Sequence, residues 1–498
     1  MRCLFFPLYT HSPHLETDFE LMASHLAKKD EVLVITCNGK LSACLHGINH
    51  KKSMCILCKS IITEGLKWLP IPQKRIVPLP HKKLQIKNFP SRFSNLSNLI
   101  NFKYDGIDLG RAAASNLLFQ LNWDHKLDTI KYQVEIRREL ESLIYLYETI
   151  STVLHEYKPD LVYVFNGRFS EPATILLVCQ KLGIPCYTHE RAGIQSRYLL
   201  RLNTTPLDIP SNTEEITRLW DQNPNNDKKN KAEKWFLERR YGVDQSFYSF
   251  VKKQTLGKLP ENFSKTKKNV AIFNSTIEEF FTQPGWENPL YEDDDTGLHK
   301  IAECLKNDRN IHTYLRVHPR LKGVHNTQTL DIELLKNRYE NFTVIPPESP
   351  ISSYTLMDNC NIIITFGSTI GVEACFWGKP SILAGHAIYE DLECVYKPKT
   401  HEELIEMIRL DLPPKDKVDA LKYAYWQMIY GVQYKYYKPL AVSQGLFLGN
   451  AIHSPIWAKI KFNFMRFLDI NNLAELKTTI NNIVRRIFEI LKTINKPS

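Results

Sequence analysis

Short apolar runs that each give way to a helical pattern recur along this chain, on both sides of one highly charged stretch. In the first 40 residues, CLFFPLY reads as a buried strand and EVLVITC as a second. Between them, LETDFELMASHLAKKD carries helical spacing at Leu15, Phe19, Leu21, Met22 and Leu26. DLVYVFNG and SEPATILLVCQKLG repeat the strand-then-helix order, with a glycine cap, and IPCYTHERAG follows as strand and loop. Beyond residues 221–268, VAIFNST, HTYLRVHP, FTVIPPES, IIITFGST and PSILAG alternate with helical segments. Such repetition demands parallel strands with helices on both faces, so the pattern predicts an α/β protein with two doubly wound, Rossmann-like domains facing a cleft. The predicted divisions are an N-terminal domain at 1–220 with a cysteine-rich insert at 37–58, a charged linker with embedded helix at 221–268, a second α/β domain at 269–440 and a basic amphipathic helical tail at 441–498.

Charge narrows the partners. The 498-residue chain carries a net charge of +10, which suits phosphorylated substrates, anionic lipid or nucleic acid. Aromatic residues are not interleaved with the Lys/Arg clusters and no RNA-binding motif occurs, so nucleic acid is not expected. The most apolar stretch, Ile362 to Trp377, is too short to span a bilayer and contains Glu373. The N-terminus turns polar and acidic without a small-residue cleavage site. With eleven cysteines and no secretory signal, a reducing, cytoplasmic setting is expected. From residue 451 onward, eight Lys/Arg against three Asp/Glu leave +5. Mixed with apolar positions at helical spacing, that tail can lie on the inner membrane face or pack on the body with a solvated basic face.

Three strand ends concentrate polar residues. NIIITFGSTIGVEACFWGKP, residues 361–380, runs from an apolar strand through Gly367, Ser368 and Thr369 into a helix bearing Glu373. Backbone N–H groups at such a junction favour an anion, and glycine admits close approach. The plainer alternative is that Ser368 caps the helix and Glu373 pairs with a basic neighbour. YLRVHP ends in Arg316 and His318, and VAIFNST ends in Asn274, Ser275 and Thr276. If these strands are parallel and adjacent, all three ends converge on one crevice.

The run RVHP, followed by VIPPESPISSYTLMDNCNIIITFGSTIGVEACFWGKPSIL, resembles the C-terminal half of capsular polysaccharide biosynthesis proteins. That group is similar to two-domain GT-B glycosyltransferases, including bacterial capsule Kdo transferases. ERRYGVDQSFYSFVKKQTLGKLP, FNGRFSEPA and HERAG look like the same group, so the resemblance covers most of residues 1–440. It implies a hexosyl- or Kdo-type nucleotide-sugar donor in the second domain and a polysaccharide or lipid-linked glycan acceptor in the first. It makes Asn274, Ser275, Thr276, Arg316, His318, Gly367, Ser368, Thr369 and Glu373 the donor-site candidates. Arg316 and His318 would offset phosphate charge, Ser368 and Thr369 would hold phosphate oxygens, and Glu373 would orient the ribose or sugar. It also implies that transfer needs no cofactor.

The first domain should supply acceptor contacts and the base. THSPHLETD offers His11, His14, Glu16 and Asp18, of which His14 and Glu16, with His318, are the catalytic candidates. Helix-start chemistry fits the same residues, with Ser12 as N-cap and Pro13 at the first helical position. Asn166 and Arg168 after one strand, and Glu190 and Arg191 after another, are the acceptor-side candidates, with Glu171 and His189 beside them. Asp108, Gly110 and Arg111 read more simply as a helix start.

Cys37, Cys44, Cys55 and Cys58 fall within 22 residues, with His46 and His50 as spare ligands. Four thiolates so placed suit a structural zinc or an iron–sulfur cluster, against four reduced cysteines in a loop. EDDDTG at 292–297 follows a loop rather than a strand, so it reads as a solvated acidic helix start. Two other readings compete with a transferase. One is a nucleotide-sugar epimerase of the same fold, and the other is a basic anionic-ligand-binding protein without transferase activity.

Overall fold

The computed structural model of the protein describes residues 1–80, 90–121, 124–224 and 227–468. The first domain comprises β1 (Arg2–Phe5), α1 (His14–Ala27), β2 (Glu31–Thr36), α2 (Lys52–Leu66), β3 (Ile76–Pro78), α3 (Leu96–Ile100), α4 (Leu109–Gln120), α5 (Gln133–Tyr157), β4 (Leu161–Phe165), α6 (Ser170–Leu182), β5 (Cys186–Arg191) and β6 (Arg197–Leu202). β3-β2-β1-β4-β5 pair in parallel, and β6 adds antiparallel to β5. The strands are continuous apolar runs because helices cover both faces. Leu4, Leu33, Ile35, Val162 and Val164 face one core with α4, α5 and α6. Cys3, Phe5, Val32, Val34 and Tyr163 face the other, against Leu15, Phe19 and Met22 of α1.

α7 (Ile209–Asp221) and α8 (Asp227–Arg240) lead into the second domain. There β7 (Lys268–Phe273), α9 (Asp294–Leu305), β8 (Ile311–Arg316), α10 (Thr327–Leu335), β9 (Phe342–Ile345), α11 (Ser353–Asn359), β10 (Ile362–Thr365), α12 (Ile370–Phe376), β11 (Ser381–Leu383), α13 (His401–Arg409) and α14 (Val418–Ile429) follow. Its five strands are all parallel, in the order β9-β8-β7-β10-β11. Both sheets thus share one order, with the first strand central, and the order in which strands are added reverses between β1 and β4 and between β7 and β10. Ligands of doubly wound sheets bind outside the carboxyl ends at such reversals. The architecture is the GT-B-like, two-domain arrangement expected from the sequence.

The charged linker is a packed element. Trp235 and Phe236 of α8 are buried with Val372, Tyr389, Tyr423 and Trp426 of the second domain and Ala192 and Leu199 of the first. Helices α7, α8 and α14 therefore bridge both lobes.

The return of the chain corrects one predicted boundary. After α14, β12 (Val432–Gln433) pairs antiparallel with β6 and becomes the seventh strand of the first sheet. The second domain therefore ends near residue 430 rather than 440. The hairpin β13 (Tyr437–Ala441) and β14 (Gln444–Phe447) and helix α15 (Ile456–Leu468) then pack on α1 and α2. The carboxylate of Glu20, 1% exposed, accepts hydrogen bonds from the backbone N–H groups of Lys435, Tyr436 and Tyr437 at 2.8, 2.7 and 2.8 Å. Thr17 adds a 2.6 Å bond to the Tyr434 hydroxyl. Residues 81–89 of the Pro/Lys-rich segment and 469–498 of the predicted tail lie outside the described residues. Among the described residues, no helix is long and apolar enough to cross a membrane.

Glu20→Ala strips three amides of their acceptor, so it should lower the unfolding free energy by about 3 kcal/mol or more in urea titration. A loss under about 1 kcal/mol would show that the returning strap does not depend on this carboxylate.

Candidate functional site

A cavity of about 460 Å³ lies between the two sets of carboxyl strand ends. The first domain contributes Glu190 and Arg191, and the second contributes Asn274, Arg316, His318, Gly367, Ser368 and Thr369. Arg239 of α8 and the aromatic side chains of Phe247 and Phe250 complete the walls.

The β10–α12 junction turns at Gly367, whose φ of +82° suits glycine. A Cβ there would lie 3.1 Å from the His386 carbonyl oxygen. Gly371 is tighter, since a Cβ would meet the Tyr389 hydroxyl at 2.3 Å. Ser368 Oγ accepts from the Ile370 amide at 3.3 Å, and its carbonyl accepts from the Tyr389 hydroxyl. Thr369, not Ser368, holds the N-cap position of the short helix, and it makes no side-chain cap bond, so the plainer expectation of a Ser368 cap is not met. Thr369 Oγ1 accepts from Arg239 Nη2 at 2.6 Å, while Arg239 Nε donates to Glu373 Oε1 at 2.9 Å. The Tyr354 hydroxyl donates to the other Glu373 oxygen.

Glu373 is 0% exposed, so the expectation that it orients a sugar is corrected. Its charge instead fixes Arg239, whose guanidinium also lies 4.9 Å over the Trp235 ring. Burial disfavours the Arg239 charge, but Glu373 outweighs it and raises the guanidinium pKa overall. Arg239 is the cationic residue that the sequence reading missed. Its signal was the ERRYG run, treated as linker because α8 is mostly polar.

Arg316 lines the cavity and commits Nη1 and Nη2 to the carbonyls of Pro346 and Ser349, at 2.5 and 3.1 Å, while its buried Nε has no partner among the described residues. It braces the 346–349 turn. Burial pulls its pKa down to about 10, which still leaves it charged at neutral pH. His318 is held by its amide, which donates to Asn274 Oδ1 at 2.9 Å, and by Nδ1, which accepts from the Arg320 amide at 3.3 Å. That acceptance leaves the ring proton on Nε2. Burial lowers the His318 pKa to about 4, so the ring is a neutral hydrogen-bonding group rather than the anticipated cation. Ser275 and Thr276 are buried, and neither lines the cavity.

Behind the opposite wall, Asn166, with φ +54°, does not line the cavity but donates from Nδ2 to Glu190 Oε2 at 2.7 Å. Arg191 donates from Nη1 to the Ser246 carbonyl at 2.8 Å and stacks 4.9 Å from the Phe247 ring. Arg168 reaches across to the Glu279 carbonyl and lines a neighbouring cavity of about 530 Å³ with Arg111. It ties the lobes together rather than lining the main cleft.

His14 and Glu16 sit behind this wall on α1 and are both buried. Arg191 Nη2 donates to His14 Nε2 at 3.1 Å, which puts the histidine proton on Nδ1, 3.3 Å from Glu190 Oε1. Burial, reinforced by the Arg191 charge, keeps His14 neutral. It holds Arg191 without reaching the cleft. Glu16 is pushed up to about 7 by burial and also stays outside it. Asp18 and His189 form a buried pair at 2.9 Å. The expected Ser12 cap does not form: Pro13 occupies the N-cap, and Ser12 Oγ meets the Tyr437 hydroxyl at 3.2 Å. Asp108 occupies the N-cap of α4 without a side-chain cap bond.

EDDDTG does start a helix, with Asp293 Oδ1 accepting the Thr296 amide at 2.6 Å. Glu292 is exposed as expected, but Asp293 and Asp295 are not solvated: both are buried against His125 of the first domain, at 3.4 and 3.7 Å. The four clustered cysteines surround a separate cavity in the first domain.

No protein-family profile matches this chain, and no curated protein matches it in sequence. Among solved structures, it is similar to the β-Kdo 2,4-transferase of Thermosulfurimonas dismutans KpsC at 12% identity and TM-score 0.36, over 62% of this chain and 87% of that one. The β-Kdo 2,7-transferase of the same KpsC overlaps at 14% identity and TM-score 0.33, over 65% and 90%. UDP-GlcNAc 2-epimerase from Neisseria meningitidis, bound to UDP-GlcNAc, overlaps at 14% identity and TM-score 0.26, over 87% and 96%. These overlaps are loose, and the fold stands on the strand orders given above.

Two outcomes follow from this geometry. Arg239→Ala leaves the Glu373 charge buried and unpaired, so it should cost about 3–5 kcal/mol of stability in denaturant titration. Glu16 titrates near 4.5 when unfolded and about 7 when folded, so its contribution is present below pH 4.5 and lost as pH rises through 7. Relative to the parent, Glu16→Gln should therefore gain up to about 3 kcal/mol between pH 4 and pH 8. A parallel pair of pH–stability curves would contradict that burial cost.

Proposed function

We propose that this protein is a glycosyltransferase that moves a sugar from a nucleotide-activated donor in the second domain to a hydroxyl of a growing surface polysaccharide or lipid-linked glycan on the first. The observation that carries the reading is the interdomain cavity, which sets Arg239 and the Gly367–Thr369 turn across from Glu190 and Arg191. A departing nucleotide develops negative charge on its phosphate. Arg239, held by Glu373, supplies a fixed positive charge there without having to reorganise. Thr369 and the glycine turn border the same position, and neutral His318 offers Nε2–H. Phe247 and Phe250 provide flat apolar surface for a base or sugar ring. Across the cleft, Glu190 is the carboxylate positioned to take the acceptor proton, oriented by Asn166 and by the Arg191 amide.

The same reading places the enzyme in the cytoplasm, at the inner membrane face. Ile456, Trp457, Ile460 and Phe464 of α15 are about 60% exposed and form one apolar stripe, beside exposed Lys459 and Lys461. Ala458 and Phe462 bury the opposite face against the body. Apolar residues flanked by lysines suit an anionic bilayer surface. Ile460→Glu combined with Phe464→Glu should abolish cosedimentation with anionic vesicles while leaving the fold intact. Unchanged sedimentation would remove the membrane assignment.

A thermal-shift screen with CMP-, UDP- and GDP-sugars tests the donor site. At a hundredfold excess over Kd, a ligand contributes about 2.7 kcal/mol of stability. Arg239→Gln should abolish the shift. Glu190→Gln should keep the shift but lose nucleotide release in the presence of glycan. Interconversion of the donor sugar without acceptor would establish an epimerase instead.

A further inference from the structure

Four thiols converge where the function above has no use for them. Cys37 follows the end of β2, Cys44 lies on the loop after it, and Cys55 and Cys58 lie one turn apart on α2. All four line one cavity of about 200 Å³, whose remaining wall includes Leu41, Met54 and Ile62. None of the four is in a disulfide. The spacing separates the candidate occupants. A single zinc ion bonded at about 2.3 Å draws its sulfurs to within roughly 3.8 Å of one another. Among the described residues, the only group of three or more such donor atoms mutually within 4.8 Å is Cys3, His25 and Asp30. That trio is already satisfied: Asp30 pairs with the N-terminal ammonium and His25 Nε2 with the Tyr163 hydroxyl. The four-cysteine site is therefore too open for one central ion. It is also too rich in sulfur to be an ordinary surface loop, since all four thiols line one cavity.

A cluster whose metals sit at the corners of a core holds its thiolates farther apart, and it fills the volume between them. Lys51 and Lys59 border the cavity, as does buried Glu171. We infer that Cys37, Cys44, Cys55 and Cys58 hold an iron–sulfur cluster in the first domain. Its place in the fold assigns it a bracing role. The loop it closes carries Leu45, whose amide donates to buried Glu171 at 3.0 Å, and His46, whose Nε2 meets the Leu8 carbonyl at 3.0 Å. His46 also stacks 6.0 Å from Tyr9, which lies against Phe165 at the carboxyl ends of β1 and β4. The cluster thus stiffens the acceptor-side wall from behind.

The test is anaerobic isolation of the full chain, followed by reconstitution with ferrous iron and sulfide and assay of metal and acid-labile sulfide. Equal iron and sulfide, at about two to four of each per chain, are expected, with visible absorbance that bleaches on reduction. Cys55→Ser and Cys58→Ser should each lose at least half of that iron, whereas Cys304→Ser, at an exposed position of the second domain, should keep it. The parent protein alone decides the matter if those variants fail to fold. One zinc per chain without sulfide, or a metal-free protein that resists reconstitution, would overturn the inference.

Discussion

A carboxylate sealed away from water must keep a cation beside it, and in this protein that requirement organises the cleft. Glu373 is inaccessible, and its ion pair with Arg239 spans 134 residues of chain. The pair draws the C-terminal end of α8 onto the start of α12 and holds the guanidinium against Thr369. One interaction therefore locks the interdomain segment to the second domain and sets a positive charge at the strand end where an anion can dock. Tyr354 and Tyr389 reinforce the arrangement, one on the Glu373 carboxylate and the other on the Ser368 carbonyl. Most of the polar groups around the turn serve to hold it still.

The two sheets place this charge opposite a second polar wall because each has its central first strand and its reversal of order on the same plan. The helical bridge of α7, α8 and α14 buries aromatic residues against both lobes. The returning strap then ties the end of the chain back to α1 and α2. The cleft is thus framed by three connections of different chemistry: an aromatic layer, a buried ion pair and a carboxylate that caps three amides.

Much of the fold was legible because strands covered on both faces must be apolar throughout, as in LVYVF of β4 and IIIT of β10. The β10–α12 junction was legible because a tight turn into a helix restricts residue choice to Gly, Ser and Thr. The basic neighbour that the plainer reading of Glu373 called for is Arg239, but its identity was not legible, because it lies on a helix whose composition resembles a solvated linker. Only Trp235 and Phe236 betray that α8 is docked. His14 and Glu16 looked catalytic by residue type, but helix α1 turns them behind Glu190 and Arg191, and sequence spacing carries no information about that depth. The return to the first sheet was equally hidden, since a two-residue strand such as β12 has no periodicity to read.

Placement of the phosphate decides the account most directly. A crystal structure of the protein with the nucleoside phosphate that stabilises it most should show phosphate oxygens against Arg239 and the Gly367–Thr369 turn, with the sugar-facing side open toward Glu190. Phosphate bound elsewhere on the protein, with Arg239 left turned toward Glu373 alone, would contradict it.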